Sequence, residues 1–482
     1  MKDNSMSALE NFNFDVSEPT RLSDGLQFIL SYVDEKSDYW TDNTPRAVAK
    51  QNGQVFTPSR MAFMLASLLP ERSIDGQIAH IADAGCGTGI LSISMAARIA
   101  MIQQPPALRV TGYETDKRLV HDWNKSWARL EHYLNNPIHI ELNEDFTNDA
   151  EHVLTTGTVP GVDCKPNVIV INPPYIKLAA KSSLARLLRE HAVPVPNLYA
   201  AFTLLSLCWL QDGGALHCIL PRSFCNGDYF AAFRRFLSEN ASIEHIVLYR
   251  SRHCFKHSLL EGILIRFTKT KSQSKHIRLS VADSPDTEPD VDLLLNSNEV
   301  LTEGAWLLPR SIEDIEHLNN NRKRKFTLNT KGIKVSTGKL ELHRVSEGDY
   351  TRVLYSRDFD ANGNITWNEK RKPRMLKAVE RQIHILPEAG GFVAIKRISS
   401  NESAKATRLF PVALTKQSLG VDKITLDNHL QVFSKQDGSP LSELELTQLI
   451  NFLRTDEANA VIRTVSGSTQ VNVSDLAQLR LP

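Results

Sequence analysis

From about residue 53 to 282, short β-branched runs alternate with helical stretches. The apolar runs predict strands at 78–82, 108–113, 138–142, 168–171, 215–220, 243–248 and 262–267. Helical patterns lie between them at 89–100, 117–134 and 198–210. Strands that alternate with helices imply parallel βαβ units and an α/β, doubly wound, Rossmann-like sheet. Only a short connection separates the last two strands, which predicts an antiparallel strand at one edge. Residues 1–50 are polar and predicted to be an amino-terminal arm, helical around Leu22 to Tyr32. The stretch SPDTEPDVD (284–292) has two prolines, four acids and no periodicity, and reads as a solvated linker. Beyond it, 293–482 lose the βαβ rhythm and show no internal repeat, so a separate α+β domain is expected there. The predicted division is therefore 1–50, 51–283, 284–292 and 293–482.

A length of 482 residues agrees with this division, because a domain usually takes roughly 150. With 41% hydrophobic and 23% charged residues, wholesale disorder is excluded. Six cysteines without a CxxC pair or matched histidine spacing exclude a disulfide scaffold and speak against zinc, so no metal is expected. The amino terminus lacks a basic-then-apolar leader pattern. The most apolar helical stretch, 90–102, carries two serines and Arg98, short of the roughly 20 apolar residues a membrane span needs. The expectation is a cytoplasmic protein with no membrane partner.

The net charge of +1 hides an asymmetry. Residues 301–400 hold 19 Lys and Arg against 12 Asp and Glu, a surplus of +7. Within 321–340, Arg322, Lys323, Arg324, Lys325, Lys331, Lys334 and Lys339 meet no acid. A second basic cluster spans 370–374 and includes Arg371, Lys372 and Arg374. A basic run is most often a solvated face, so its meaning depends on what the rest of the chain does.

The first strand runs into Asp83-Ala84-Gly85-Cys86-Gly87-Thr88-Gly89 and then a helix. Glycines there allow a tight turn and a close ligand approach, and the helix start presents free N–H groups. Such a loop alone could hold a dinucleotide. The GxGxG spacing and the acid at Asp83 tilt the choice, because an acid repels pyrophosphate but suits a ligand with an ammonium or sulfonium group, such as S-adenosyl-L-methionine. Glu114, ending the second strand, is placed to accept from ribose hydroxyls. After the third strand, Asp145 is placed to accept from an adenine amino group and Phe146 to cover its ring. Cys86 reads as a packed small residue.

The fourth strand delivers Asn172-Pro173-Pro174-Tyr175. Two prolines fix the backbone and remove two donors, leaving carbonyl acceptors beside the Asn172 side chain. Paired acceptors suit an exocyclic amine that must become nucleophilic, and Tyr175 offers a flat face for its ring.

These motifs, in this order, resemble the gamma class of S-adenosylmethionine-dependent DNA adenine-N6 methyltransferases. Gly53-Gln54-Val55-Phe56-Thr57-Pro58 is similar to that family's amino-terminal cofactor motif, which implies cofactor contacts from Phe56, Thr57 and Pro58. Gly213-Gly214 through Leu220-Pro221-Arg222-Ser223 resembles the strand after the catalytic loop, and the position of Phe255 implies a second base-stacking face. The stretches 332–344 and 466–472 resemble the specificity region of PstI/BsuBI-type modification enzymes. The resemblance implies a methyltransferase domain at 51–283 and a target-recognition domain at 293–482. It implies direct methyl transfer to a flipped adenine of double-stranded DNA, with S-adenosyl-L-homocysteine as product and a nucleoid-associated location. It also makes Arg322, Lys323, Arg324, Lys325, Lys339, Arg371, Lys372 and Arg374 candidate DNA contacts. A separately encoded restriction endonuclease is the implied partner, since no nuclease carboxylate cluster stands out. The window lacks a Pro-Cys loop, which speaks against cytosine-C5 chemistry. Rival readings are an N-methyltransferase acting on RNA or a protein glutamine, and a specificity subunit that binds DNA without catalysis.

Overall fold

The computed structural model describes residues 20–482 except 71–77, 102–106, 135–136, 162–163, 259, 303, 341–347, 368–373, 400–405 and 467. Two compact units emerge. One comprises Met1–Phe224 and Tyr229–Glu303, the other Cys225–Asp228 and Gly304–Pro482.

The first unit opens with helices α1 (Thr20–Asn43), α2 (Arg46–Asn52) and α3 (Ser59–Ser67). There follow β1 (Ile78–Ala84), α4 (Ile90–Ala100), β2 (Ala107–Tyr113), α5 (Val120–Glu131), β3 (Ile138–Asn143), α6 (Ala150–Thr156) and β4 (Val168–Ile171). Next come α7 (Ser183–Glu190), α8 (Leu198–Trp209), β5 (Ala215–Pro221), α9 (Ala231–Asn240), β6 (Ala241–Tyr249), β7 (Gly262–Lys269), β8 (His276–Ala282) and β9 (Val291–Asn296). They form one nine-stranded sheet in the order β3-β2-β1-β4-β5-β7-β6-β8-β9. Strands β1 to β5 are mutually parallel, and β7 runs antiparallel to both β5 and β6. This is the doubly wound, Rossmann-like sheet expected from the pattern. Its central strands are covered on both faces, so β4 is wholly buried and reads as the unbroken apolar run Val-Ile-Val-Ile.

Three expectations need correction. The sheet has the expected antiparallel edge strand, but it is β9, antiparallel to β8; the β6–β7 pair lies inside the sheet, because β8 adds parallel to β6. Residues 284–292 are not a linker but the turn of the β8–β9 hairpin and the start of β9. Asp286, Asp290 and Asp292, three of the four acids that made this stretch look solvated, have partners, as has Asp283 just before it. Asp286 pairs with Arg60 at 3.3 Å. Arg250 Nη1 donates to Asp283 at 2.9 Å and to Asp290 at 2.9 Å, and Arg278 pairs with Asp292 at 2.6 Å. The unit boundary falls instead after Glu303, with Cys225–Asp228 counted in the second unit. The amino-terminal segment is also no free arm. Ile29, Leu30 and Val33 of α1 are buried in the same core as Met61 and Leu65 of α3 and Ile93 of α4.

The second unit is α+β, as expected. One four-stranded antiparallel sheet joins Ile333–Thr337, Leu430–Lys435, Phe392–Lys396 and Pro411–Leu414. A second joins Met375–Ala378, Asp349–Leu354, Lys423–Leu426 and Ile383–Ile385. Helices Ile312–Lys323 and Asp456–Val465 are tied by Arg463, which donates to the buried Asp314 at 3.1 Å. The segment Cys225–Asp228 is anchored in this unit: Cys225 accepts from Trp306 N at 2.7 Å, and Asn226 donates to Asp475 at 2.6 Å. No helix among the described residues is long and apolar enough to cross a membrane.

Candidate active site

The parallel half of the sheet changes winding direction between β1 and β4, and ligands of open α/β sheets bind beyond the strand ends at such a point. The glycine-rich loop leaves β1 there. Gly85, Gly87 and Gly89 all have left-handed φ, at +88°, +55° and +94°. The loop is tied to the neighbouring strand, since Gly85 N and Cys86 N both donate to the Tyr113 carbonyl at 2.9 Å. A Cβ on Gly89 would lie 3.1 Å from the Trp123 ring, and one on Gly112 would lie 2.7 Å from it, so both glycines let α5 pack close.

Asp83 is fully buried. Its Oδ2 accepts from Ser92 N at 3.3 Å, whereas Oδ1 has no hydrogen-bond partner among the described residues. Burial, and secondarily the Glu114 charge, push its carboxyl up to about 7. Glu114 Oε2 accepts from Gly87 N at 2.9 Å and Oε1 from Asp116 N at 2.8 Å, so this carboxylate braces the loop from the end of β2. A buried acid with one unsatisfied oxygen, beside a glycine cradle and a second acid, fits a cationic adenosyl cofactor better than a pyrophosphate.

Asn172 follows β4, and its carboxamide is oriented on both sides. Nδ2 donates to the Val55 carbonyl at 2.9 Å and to Thr57 Oγ1 at 2.8 Å. Oδ1 faces the Tyr175 hydroxyl, which also lies 3.0 Å from the Ile219 carbonyl. A phenol has one proton, so Tyr175 donates to one of these acceptors at a time. The segment from Gly53 is pressed against the motif: Tyr175 N donates to the Gly53 carbonyl at 3.2 Å, and a Cβ on Gly53 would lie 2.8 Å from Tyr175 N. The Phe56 ring lies against Gly87, 3.7 Å from a Cβ placed there, so this segment touches both the glycine loop and Asn172-Pro173-Pro174-Tyr175.

The structure thus brings together Phe56 to Pro58, Asp83 to Gly89, Glu114 and Asn172 to Tyr175. Two aromatic expectations fail. Phe146 is 2% exposed, its ring packed among Tyr113, Phe202 and Trp209, and has no face for an adenine. Asp145 next to it spends Oδ1 on Thr147 N at 2.8 Å, capping a 3-10 turn. Phe255 is 3% exposed in the core, and a Cβ on Gly262 would lie 3.0 Å from its ring, so it offers no stacking face. The aromatic rings next to Tyr175 are others: Tyr199 at 6.2 Å, which stacks on Phe230 at 5.8 Å. Tyr199 is the second residue of α8 and Phe230 closes a short 3-10 turn before α9, positions shared with many structural aromatics, so sequence had no means of singling them out.

In the second unit the basic candidates separate. Arg374 makes a bidentate pair with the buried Asp358, at 2.6 and 2.8 Å, and Arg324 pairs with Glu457 at 2.8 Å and the Arg480 carbonyl at 3.2 Å. Both serve internal structure and are removed from the contact set. Arg322 Nη1 lies 3.4 Å from Asn319 Oδ1, and Lys339 donates to the Arg381 carbonyl at 3.1 Å yet remains exposed. Lys323 and Lys325 are exposed, while Arg371 and Lys372 lie outside the described residues.

Residues 64–255 match the family of Eco57I restriction-modification methylases. The chain is similar to the type II methyltransferase M.BsuBI of Bacillus subtilis, 28% identical over 451 residues, which span 89% of this chain and 87% of that one. It is equally similar to the type II methyltransferase M.PstI of Providencia stuartii, 28% identical over 506 residues, spanning 96% and 92%. Among solved structures, the type IIL restriction-modification enzyme MmeI in complex with DNA covers 94% of this chain and 66% of its own, at 12% identity and a TM-score of 0.47.

Proposed function

We propose that this chain is a site-specific DNA adenine-N6 methyltransferase, the modification enzyme of a type II restriction-modification system. The observation that carries the reading is the Asn172 carboxamide, oriented by Val55 and Thr57 at the end of β4 and adjoining the glycine loop of β1. Similarity to two type II methyltransferases along nearly the whole chain supports it.

S-adenosyl-L-methionine, held by Phe56, Thr57, Pro58, the Asp83 to Gly89 loop and Glu114, supplies an electrophilic methyl group when bound. The chain's part is to present and activate the target amine. A base inside a stacked duplex cannot reach such a pocket, so the adenine is flipped out. Asn172 Oδ1 and the Pro173 carbonyl accept the two N6 protons and draw the nitrogen lone pair out of conjugation. Oδ1 becomes available when the Tyr175 hydroxyl turns to the Ile219 carbonyl, an exchange of one hydrogen bond for another. Tyr175 is the face for the adenine ring. The second unit is assigned to target recognition, its exposed Lys323, Lys325 and Lys339 to phosphate contacts that set register. A separately encoded endonuclease is the proposed partner. Sequencing DNA from an expressing host with modified-base detection tests the whole reading: N6-methyladenine at one short motif is expected, and a host without it would refute the assignment.

Asp83 makes cofactor binding depend on pH. Its carboxyl, held at about 7 by burial, must be ionised to receive a cationic ligand. Below that value binding requires loss of a proton, so affinity is expected to fall about tenfold per pH unit and to level off above it. Calorimetric titration with S-adenosylmethionine checks this. Asp83→Asn is expected to bind more weakly with a flat profile, and a wild-type profile flat across neutrality would exclude the role.

A further inference from the structure

Helix α1 bonds to the glycine-rich loop, to the residue that follows Phe56-Thr57-Pro58, and to α5. Ser37 and Thr88, both buried, share a hydrogen bond of 3.0 Å between their hydroxyls, so the helix grips the glycine-rich loop itself. Asp34 accepts from Ser59 N at 3.0 Å and from the Ser59 hydroxyl. Ser59 is the first residue of α3, and its predecessor Pro58 has no side-chain cap. The free N–H at that helix start is therefore satisfied by a carboxylate 25 residues earlier in the chain, immediately after Phe56-Thr57-Pro58. Trp40 Nε1 donates to Asp122 Oδ2 at 2.8 Å and the Tyr32 hydroxyl to Oδ1 at 3.2 Å, fixing α1 on α5, the helix that follows Glu114. Residues 34 and 37 are three apart and so lie on one face of the helix. A surface pair between Asp42 and Lys256, at 2.9 Å, adds little by comparison.

We propose that α1 is a positioning element of the cofactor pocket, in which Ser37 sets Thr88 of the glycine loop and Asp34 sets the segment Phe56-Thr57-Pro58. The inference rests on the S-adenosylmethionine reading above. Neither residue touches reacting atoms. Their effect is on the shape the loop and the segment hold before the cofactor arrives, and so on affinity more than on the transfer step.

The test uses the full-length chain and S-adenosyl-L-homocysteine as probe. Ser37→Ala leaves the buried Thr88 hydroxyl without its partner and is expected to weaken binding about tenfold, with turnover at saturating cofactor within about twofold of wild type. Asp34→Ala is expected to act in the same direction, and Ser37→Thr, which keeps the hydroxyl, to restore affinity. If the two alanine variants only lower the unfolding midpoint and bind the probe as tightly as wild type, α1 is a packing element and the inference is overturned. If Ser37→Ala lowers turnover at saturation as much as affinity, the separation of roles fails and the inference with it. Absence of binding by the wild-type chain would instead refute the cofactor reading on which it stands.

Discussion

Asn172→Ala is expected to lower methyl transfer by about 10²–10³-fold, the usual loss when one preorganised dipole is removed from a developing charge. In the folded chain the carboxamide has two separable duties. Oδ1 is the acceptor aimed at the target amine, and Nδ2 anchors Val55 and Thr57 at 2.9 and 2.8 Å. Alanine removes both. Asn172→Asp keeps an acceptor but replaces a donor with a charged oxygen facing the Val55 carbonyl, so it is expected to be about as impaired as alanine. Thr57→Val keeps the shape of the threonine and leaves Asn172 its bond to Val55, and a loss of no more than about tenfold is expected. Single-turnover rates at saturating cofactor and DNA, together with S-adenosylhomocysteine affinity, distinguish the duties. Turnover by Asn172→Ala within tenfold of wild type would remove Asn172 from the chemistry.

The parts of this site that depend on chain-local chemistry were legible in the sequence. A glycine loop after a β-branched run announces its own turn, and two prolines after an asparagine announce their own backbone. Contacts distant in sequence were not. Nothing in the polar α1 segment marks Ser37 as the partner of Thr88, 51 residues away, because a buried serine and an exposed one have the same neighbours in the chain. Loop aromatics fail for a related reason. Phe146 and Phe255 sit where a stacking ring would be expected, yet strand periodicity ends before them and no longer says which way a side chain points; both turn into the core. The 284–292 stretch misled differently. A polar turn that joins two strands has the same composition as a linker, and what distinguishes the two here is the antiparallel ladder of β8 with β9, which begins at Val291 and which no local rule predicts.

That correction alters where the chain should be divided. A chain ending at Glu303 keeps β8 and β9 and is expected to retain S-adenosylhomocysteine affinity within a few-fold, whereas an end near residue 285 would strip the outermost strand and expose the edge of β8. Removing 304–482 also leaves Asn226 without Asp475 and Cys225 without Trp306, so the shortened chain is expected to unfold at a lower temperature. Its specific DNA affinity should fall by about 10³-fold or more, the margin that separates specific from non-specific binding. The loss is expected to be one of sequence discrimination more than of contact, because the shortened chain still carries cationic side chains able to meet phosphates. Binding to a cognate duplex and to a scrambled one, each over a salt series, gives the readout. In the intact chain the two affinities are expected to differ strongly, and in the shortened chain to converge. If the shortened chain binds its cofactor, methylates one motif and still prefers it over scrambled DNA, target recognition resides in the first unit, and the basic surplus of 301–400 has another purpose.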